Sequence, residues 1–256
     1  MRPQNILFAL LLLFVAAPLL AQVPKNNLDV HHPPSRPSVA SSMETKSDHC
    51  FHSILENDRV RVFKVEVPGL QSTSVNYHRH DYVVVSLGKS NFEIAGSGIR
   101  YPMQMEDGEM QVIKGGASHR ITNLSDSPLQ LVEMEVMHEI HPERPVCGLS
   151  GRACSDGIFG RNEDGSYSQS TLFETDTIKL ARVQLGPGGL LPEHRHDRCH
   201  VLVSLAQTAL LDSVSNAHSR ELHLNAGDAA WYSERIAHTL KNLSTQDVQF
   251  ITVEFK

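Results

Sequence analysis

At 256 residues, with 40% hydrophobic and 20% charged positions, the chain has the apolar content for one large or two ordinary cores, which excludes a disordered polymer. A formal charge of −6 and the lack of a basic run exclude a line of phosphate contacts, and nucleic acid as a partner with it.

Residues 1–21 have the form of a secretory leader. Arg2 is followed by an apolar stretch over 6–17, and Pro18-Leu19-Leu20-Ala21 supplies a cleavage site before Gln22. An uncleaved anchor is the other reading, but the run is short against the roughly 20 residues of a membrane span. The expectation is therefore a secreted or periplasmic protein with no membrane contact after cleavage. Residues 22–48 carry Pro24, Pro33, Pro34 and Pro37 without apolar periodicity and read as a flexible tether, with His31, His32 and His49 as solvated residues in or beside it.

From Cys50 onward the chain alternates. Strands are expected at 59–67, 82–87, 91–95, 110–113 and 129–136, separated by turns such as Pro68-Gly69 and Lys114-Gly115-Gly116. Many short strands without an amphipathic helix indicate an all-β sandwich or barrel. Residues 138–170 lose the pattern and read as an inter-domain linker, and strands resume over 177–185. Export permits disulfides. Cys147 and Cys154 flank a short loop, which allows a local bridge, a pair of free thiols, or a zinc site completed by His138 and His141.

An internal repeat sets the architecture. The heptad His119 to Ser125 matches His238 to Ser244 at an offset of 119, and Gly108 and Gly227 share that offset. The stretch 83–87 matches 201–205 at an offset of 118, and His78-Arg79-His80-Asp81 matches His194-Arg195-His196-Asp197 at 116. Drift of this size is what loop insertions produce. The chain is two copies of one β module, spanning 49–137 and 171–256.

If the stretch after Gly188 is extended, His194, His196 and His200 share one face, because side chains alternate along a strand. Imidazoles converging on one face are common ingredients of a transition-metal site. Gly188 with His194 and His196, and Gly227 with His238 and Asn242, resemble the two motifs of the cupin superfamily. Lys114 to His119 resembles the Pro-x-Gly-x-x-His turn of the second motif, with Lys in place of Pro. The resemblance implies a bicupin: an all-β chain of two tandem antiparallel β-barrel or jelly-roll domains. It also implies a divalent metal held by three His and one Glu. His200 stands four after His196, where the family has that Glu, so the implied set is His194, His196, His200 and His238. Four neutral imidazoles would leave the charge of the dication (Fe, Mn, Zn, Ni or Cu) uncompensated, which favours a small anionic substrate or hydroxide at an open position. Histidines kept in a cupin that binds no metal are the alternative.

The first copy offers a weaker set, His78, His80 and His119. Aligned on the histidine motif, it has Val84 four after His80. Aligned on the following strand, Tyr82 faces His200, His78 faces His196 and Asn76 faces His194. It is either a three-His centre or a barrel kept for packing.

Glu193 and Cys199 have the opposite parity and should point outward. Asn123-Leu124-Ser125 and Asn242-Leu243-Ser244 match glycosylation acceptors but occupy the motif's turn position, and Trp231 and Tyr232 are candidates for pocket or wall. The expected function is a secreted metal-dependent enzyme, dioxygenase-like or of other small-molecule chemistry, with its main site in the second module. A non-enzymatic ligand- or metal-binding module is the alternative, and a homodimer is the expected assembly.

Overall fold

The computed structural model describes residues 43–44, 48–96, 98–148, 154, 166–215 and 217–256. The expected leader, nearly all of the tether and much of the linker lie outside them. Among the described residues there are nineteen strands and no helix.

The first module comprises β1 (Met43–Glu44), β2 (Phe51–Glu56), β3 (Val60–Val67), β4 (Asn76–His78), β5 (Tyr82–Ser86), β6 (Ser90–Gly96), β7 (Ile99–Met105), β8 (Met110–Ile113), β9 (Ala117–Asn123) and β10 (Leu129–Val136). The second comprises β11 (Tyr167–Glu174), β12 (Ile178–Leu185), β13 (Leu190–His196), β14 (His200–Ser204), β15 (Thr208–Val214), β16 (Arg220–Leu224), β17 (Ala229–Tyr232), β18 (Ile236–Asn242) and β19 (Val248–Phe255). Sheet order β2-β3-β10-β5-β8 recurs as β11-β12-β19-β14-β17, and β4-β9-β6-β7 recurs as β13-β18-β15-β16. The repeat read from the heptad thus holds strand for strand. The short β1 adds to the edge of β4 in parallel; the other pairings are antiparallel.

Strands missing from the sequence reading have identifiable reasons. β7 carries Pro102, which a strand tolerates at the sheet edge where β7 lies. β2 and β11 both carry a register shift, which breaks simple alternation. β11 lies partly in the segment expected to be linker.

Each module sandwiches a core between its two sheets: Phe63, Val84 and Leu131 meet Phe92 and Ile121 in the first, and Leu202 and Phe250 meet Leu210 and Leu240 in the second. A third core joins the modules. Val83, Val85, Val132 and Met134 of one central sheet pack with Val201, Val203, Ile251 and Val253 of the other. This explains why β5 and β14 read as unbroken apolar runs, for both faces of each are buried. Each fully buried valine contributes about 1.5–3 kcal/mol.

The junction is self-complementary. Gly108 of the first module sits against Leu205 and Arg182 of the second, and Gly227 of the second sits against Leu87 and Lys64 of the first. Leu87 and Leu205, like Lys64 and Arg182, are repeat-related, so the two modules meet as an isologous pair. Both glycines have left-handed φ, +66° and +83°, and a Cβ would lie 2.7 Å from Leu205 and 2.9 Å from Leu87 respectively. That is the physical reason these glycines recur at the same offset.

Candidate metal centre

In the second module, β13 pairs with β18 in a register that sets His194 opposite His238 and His196 opposite Ile236. A shift between Leu191 and His194 re-aims the strand just before the histidines. The donor atoms of His194, His196 and His238 lie within 4.8 Å of one another. Each Nδ1 faces an oxygen acceptor: the Pro192 carbonyl at 2.8 Å, Glu254 Oε2 at 3.4 Å and Asp212 Oδ1 at 2.9 Å respectively. A ring that donates from Nδ1 keeps its lone pair on Nε2. The Nε2 of His238 is buried without a hydrogen-bond partner. Burial, together with the neighbouring rings, pushes His194 down to about 4, which keeps it neutral and able to donate to a metal at neutral pH. Three oriented imidazoles with free lone pairs fit a divalent transition ion.

His200 stands beside this trio rather than within it. Its ring stacks on His196 with centroids 3.8 Å apart, and on Tyr232 at 4.5 Å with the planes 2° from parallel. It is 1% exposed, and burial, reinforced by the other three rings, holds its pKa near 2. Its Nδ1 has no hydrogen-bond partner.

Two residues the sequence reading passed over complete the surroundings. Asp212 on β15 is fully buried, and its second oxygen accepts from Arg220 Nε at 2.9 Å. Arg220 also lies over the Tyr232 ring, 5.1 Å from its centroid. A signal for Asp212 was present: it has the same inward parity as Thr208 and Leu210.

In the first module the strand alignment is the one realised. β4 sets Asn76 opposite His119, as β13 sets His194 opposite His238. Asn76 turns to Asp48, donating from Nδ2 at 2.9 Å. His80 lies past the end of β4, where its amide donates to Glu135 Oε1 at 3.0 Å, and it does not join His78 and His119. The third group within 4.8 Å of those two is Glu133 of β10. Tyr82 stacks on His78 at 4.2 Å and on His119 at 5.5 Å. Burial works to lower His78, but Glu133 and Glu135 outweigh it and raise the ring to about 9. His119 is pushed by burial to about 4.

No protein-family model matches the chain, and no curated protein matches it. Solved structures do. AerE from Microcystis aeruginosa is 12% identical, with 80% of this chain and 97% of that chain covered and a TM-score of 0.55. A cupin 2 conserved barrel domain protein from Leptotrichia buccalis is also 12% identical, with 84% and 92% covered and a TM-score of 0.51. The fold is that of a bicupin. A single-site variant of oxalate decarboxylase from Bacillus subtilis shares it at 12% identity, covering 83% of this chain and 76% of that one, with a TM-score of 0.56.

The remaining features take their places in this two-module fold. Cys147 and Cys154 are joined as a disulfide, while Cys50 and Cys199 are free. Cys199 and Trp231 pack against the core between modules, on the opposite face from His200. Tyr232 is the aromatic that lines the histidines. Asn123 and Asn242 are each 1% exposed turn residues: Asn242 Nδ2 donates to the Leu185, Gly186 and Gln246 carbonyls, and Asn123 Nδ2 to those of Val67, Pro68 and Ser127.

Proposed function

We propose that this bicupin is an exported metal-dependent protein whose principal centre is His194, His196 and His238 in the second module, acting on a small anionic molecule. The observation that carries the reading is that all three Nδ1 atoms face oxygen acceptors, so that three Nε2 lone pairs are reserved for something else. Support also comes from the fold, since Bacillus subtilis oxalate decarboxylase, 11% identical with a TM-score of 0.57, has Mn(II) centres. The Cys147–Cys154 disulfide supports export, because such bridges persist in oxidising compartments.

Bound there, Fe, Mn, Zn, Ni or Cu would supply Lewis acidity toward an oxygen of the substrate. The chain's own residues fix the rest. Asp212 and Glu254 orient His238 and His196, and Arg220 holds Asp212 in place. Neutral imidazoles add no negative charge, so an anion can approach without repulsion from the donors. His200 and Tyr232 form a stacked wall beside the trio.

The test is to strip the protein, reload it with each of the five ions and measure oxygen consumption and substrate loss across diketones, phenols and small acids. Turnover that disappears in His194→Ala supports an enzyme of the dioxygenase kind. Metal binding without turnover would make the protein a binding module instead.

A further inference from the structure

The junction between the modules repeats in its strands but not in all of its side chains. Lys64 and Arg182 hold matching places on β3 and β12, opposite Val132 and Ile251 respectively. Lys64 has an acid beside it, with its Nζ 3.9 Å from Glu66 Oε1. The residue matching Glu66 is Gln184, opposite Gln249 as Glu66 is opposite Gln130, so Arg182 lacks that partner. Arg182 Nη2 donates to the Gly108 carbonyl, and its Nε is buried without a hydrogen-bond partner. Among the described residues no carboxylate forms an ion pair with it, and the nearby Glu109 accepts instead from the Glu106 amide at 2.9 Å. A cation drawn part-way out of water without a counter-ion is costly.

The same asymmetry leaves space. β8 and β17 match, Val112 standing opposite Val83 as Trp231 stands opposite Val201. Trp231 fills its half of the junction, packed on the core between the modules with its ring 5.8 Å from that of Phe255. Valine in that place leaves room. A cavity of about 610 Å³ lies there, lined by Met110, Val112, Leu172, Phe173 and Arg182, with the exposed Glu109 and Gln111 on its outer side.

We propose that this cavity binds a small organic carboxylate, with Arg182 taking the carboxylate and the four apolar side chains receiving an aromatic or branched body. The planar guanidinium fork matches two carboxylate oxygens, and the Nε that such a pair would use has no other partner in the protein. Apolar walls favour an organic acid over inorganic phosphate, whose whole surface needs hydrogen bonds. A bound acid would touch both modules, since Met110 and Val112 belong to β8 and Leu172, Phe173 and Arg182 to β11 and β12. The site shares no residue with the histidine trio and stands independently of the function proposed above.

Calorimetry on the intact, chelator-stripped protein tests it. The probes are phenylacetate, benzoate and isovalerate, with phenylacetamide as a neutral match and inorganic phosphate as the bare anion. Stripping the metal keeps the acids from binding through an ion at the histidine trio. At least one of the three acids should bind once per chain and raise the melting temperature. Its affinity should fall by about tenfold or more in Arg182→Gln, and likewise in Val112→Trp, which puts the indole of the other half into the cavity. Unchanged affinity in Arg182→Gln, phenylacetamide or phosphate binding as tightly as the acids, or no binding by any of the three acids would overturn the proposal. Should the variants fail to fold, the wild type decides. Bound acid should slow the modification of Arg182 by phenylglyoxal, read by mass spectrometry, and an unchanged rate would overturn the assignment.

Discussion

The Asp212 carboxylate accepts from His238 Nδ1 at 2.9 Å, and both side chains are closed to solvent. Its other oxygen is held by Arg220, so the acid has no freedom to turn away. The contact fixes the His238 tautomer and makes its Nε2 a better donor. Replacing Asp212 with Asn keeps the shape but removes the charge. Asp212→Asn should weaken metal binding at the all-histidine centre by about 10–100-fold while leaving the circular dichroism spectrum unchanged. Competition titration against a chelator measures this, and unchanged affinity would mean that Asp212 only packs.

Arg235 and Gly116 occupy the same place in the two copies, three residues before His238 and His119. Both adopt left-handed φ, +59° for Arg235 and +82° for Gly116, a region that suits glycine. Nothing lies within 4 Å of where a Gly116 Cβ would sit, so only the backbone resists a side chain there. Arg235→Gly should stabilise the protein by about 1 kcal/mol and Gly116→Ala should destabilise it by about the same amount. Denaturant midpoints of the two variants should therefore move in opposite directions.

Asn242 ties three backbone carbonyls together from a buried position, and its Oδ1 accepts from the Ser244 amide and hydroxyl. Asn242→Ala should cost on the order of 3 kcal/mol, since several polar groups lose their partner at once. For the same reason, mass spectrometry of the protein expressed through a glycosylating secretory pathway should find Asn123 and Asn242 unmodified.

Asp48 gives a pH signature outside the histidine trio of the second module. Burial acts to raise its carboxyl, and hydrogen bonds from the Cys50 amide, Asn76 and the Ser74 amide outweigh that and hold it below the ordinary aspartate value. A depressed carboxyl contributes stability above its unfolded pKa of about 3.9, and that stability is lost as pH falls through the folded value. Asp48→Asn should therefore be about 1–3 kcal/mol less stable than wild type near neutrality. The gap should narrow as the pH is taken below about 4. Unfolding curves at the two pH values decide this, and a constant gap would contradict it.

The repeat, the β architecture of each copy and the clustering of three histidines in the second module were readable because parity and spacing are local properties. His194 and His196 share a face by alternation alone, and His238 follows from the match to His119. Glu133 and Asp212 were missed because each approaches the histidines from a strand outside the motifs, and Glu133 comes from the opposite sheet. Both nevertheless sit at inward parity, in line with buried Leu129 and Leu131 on β10 and with Leu210 on β15, which is a usable signal. The first module could not be settled from its histidine motif, since His78-Arg79-His80 mimics His194-Arg195-His196 while the strand register is shifted by two residues. Only the pairing of Asn76 with His119 decides between the alignments.

The central claim is that His194, His196 and His238 together hold a divalent transition ion. It is tested most directly by equilibrium dialysis of chelator-stripped protein against Zn2+, comparing the wild type with the His194→Ala, His238→Ala double variant. The double variant should take up one ion per chain fewer than wild type with its far-ultraviolet circular dichroism preserved; equal uptake by the two proteins would contradict the assignment.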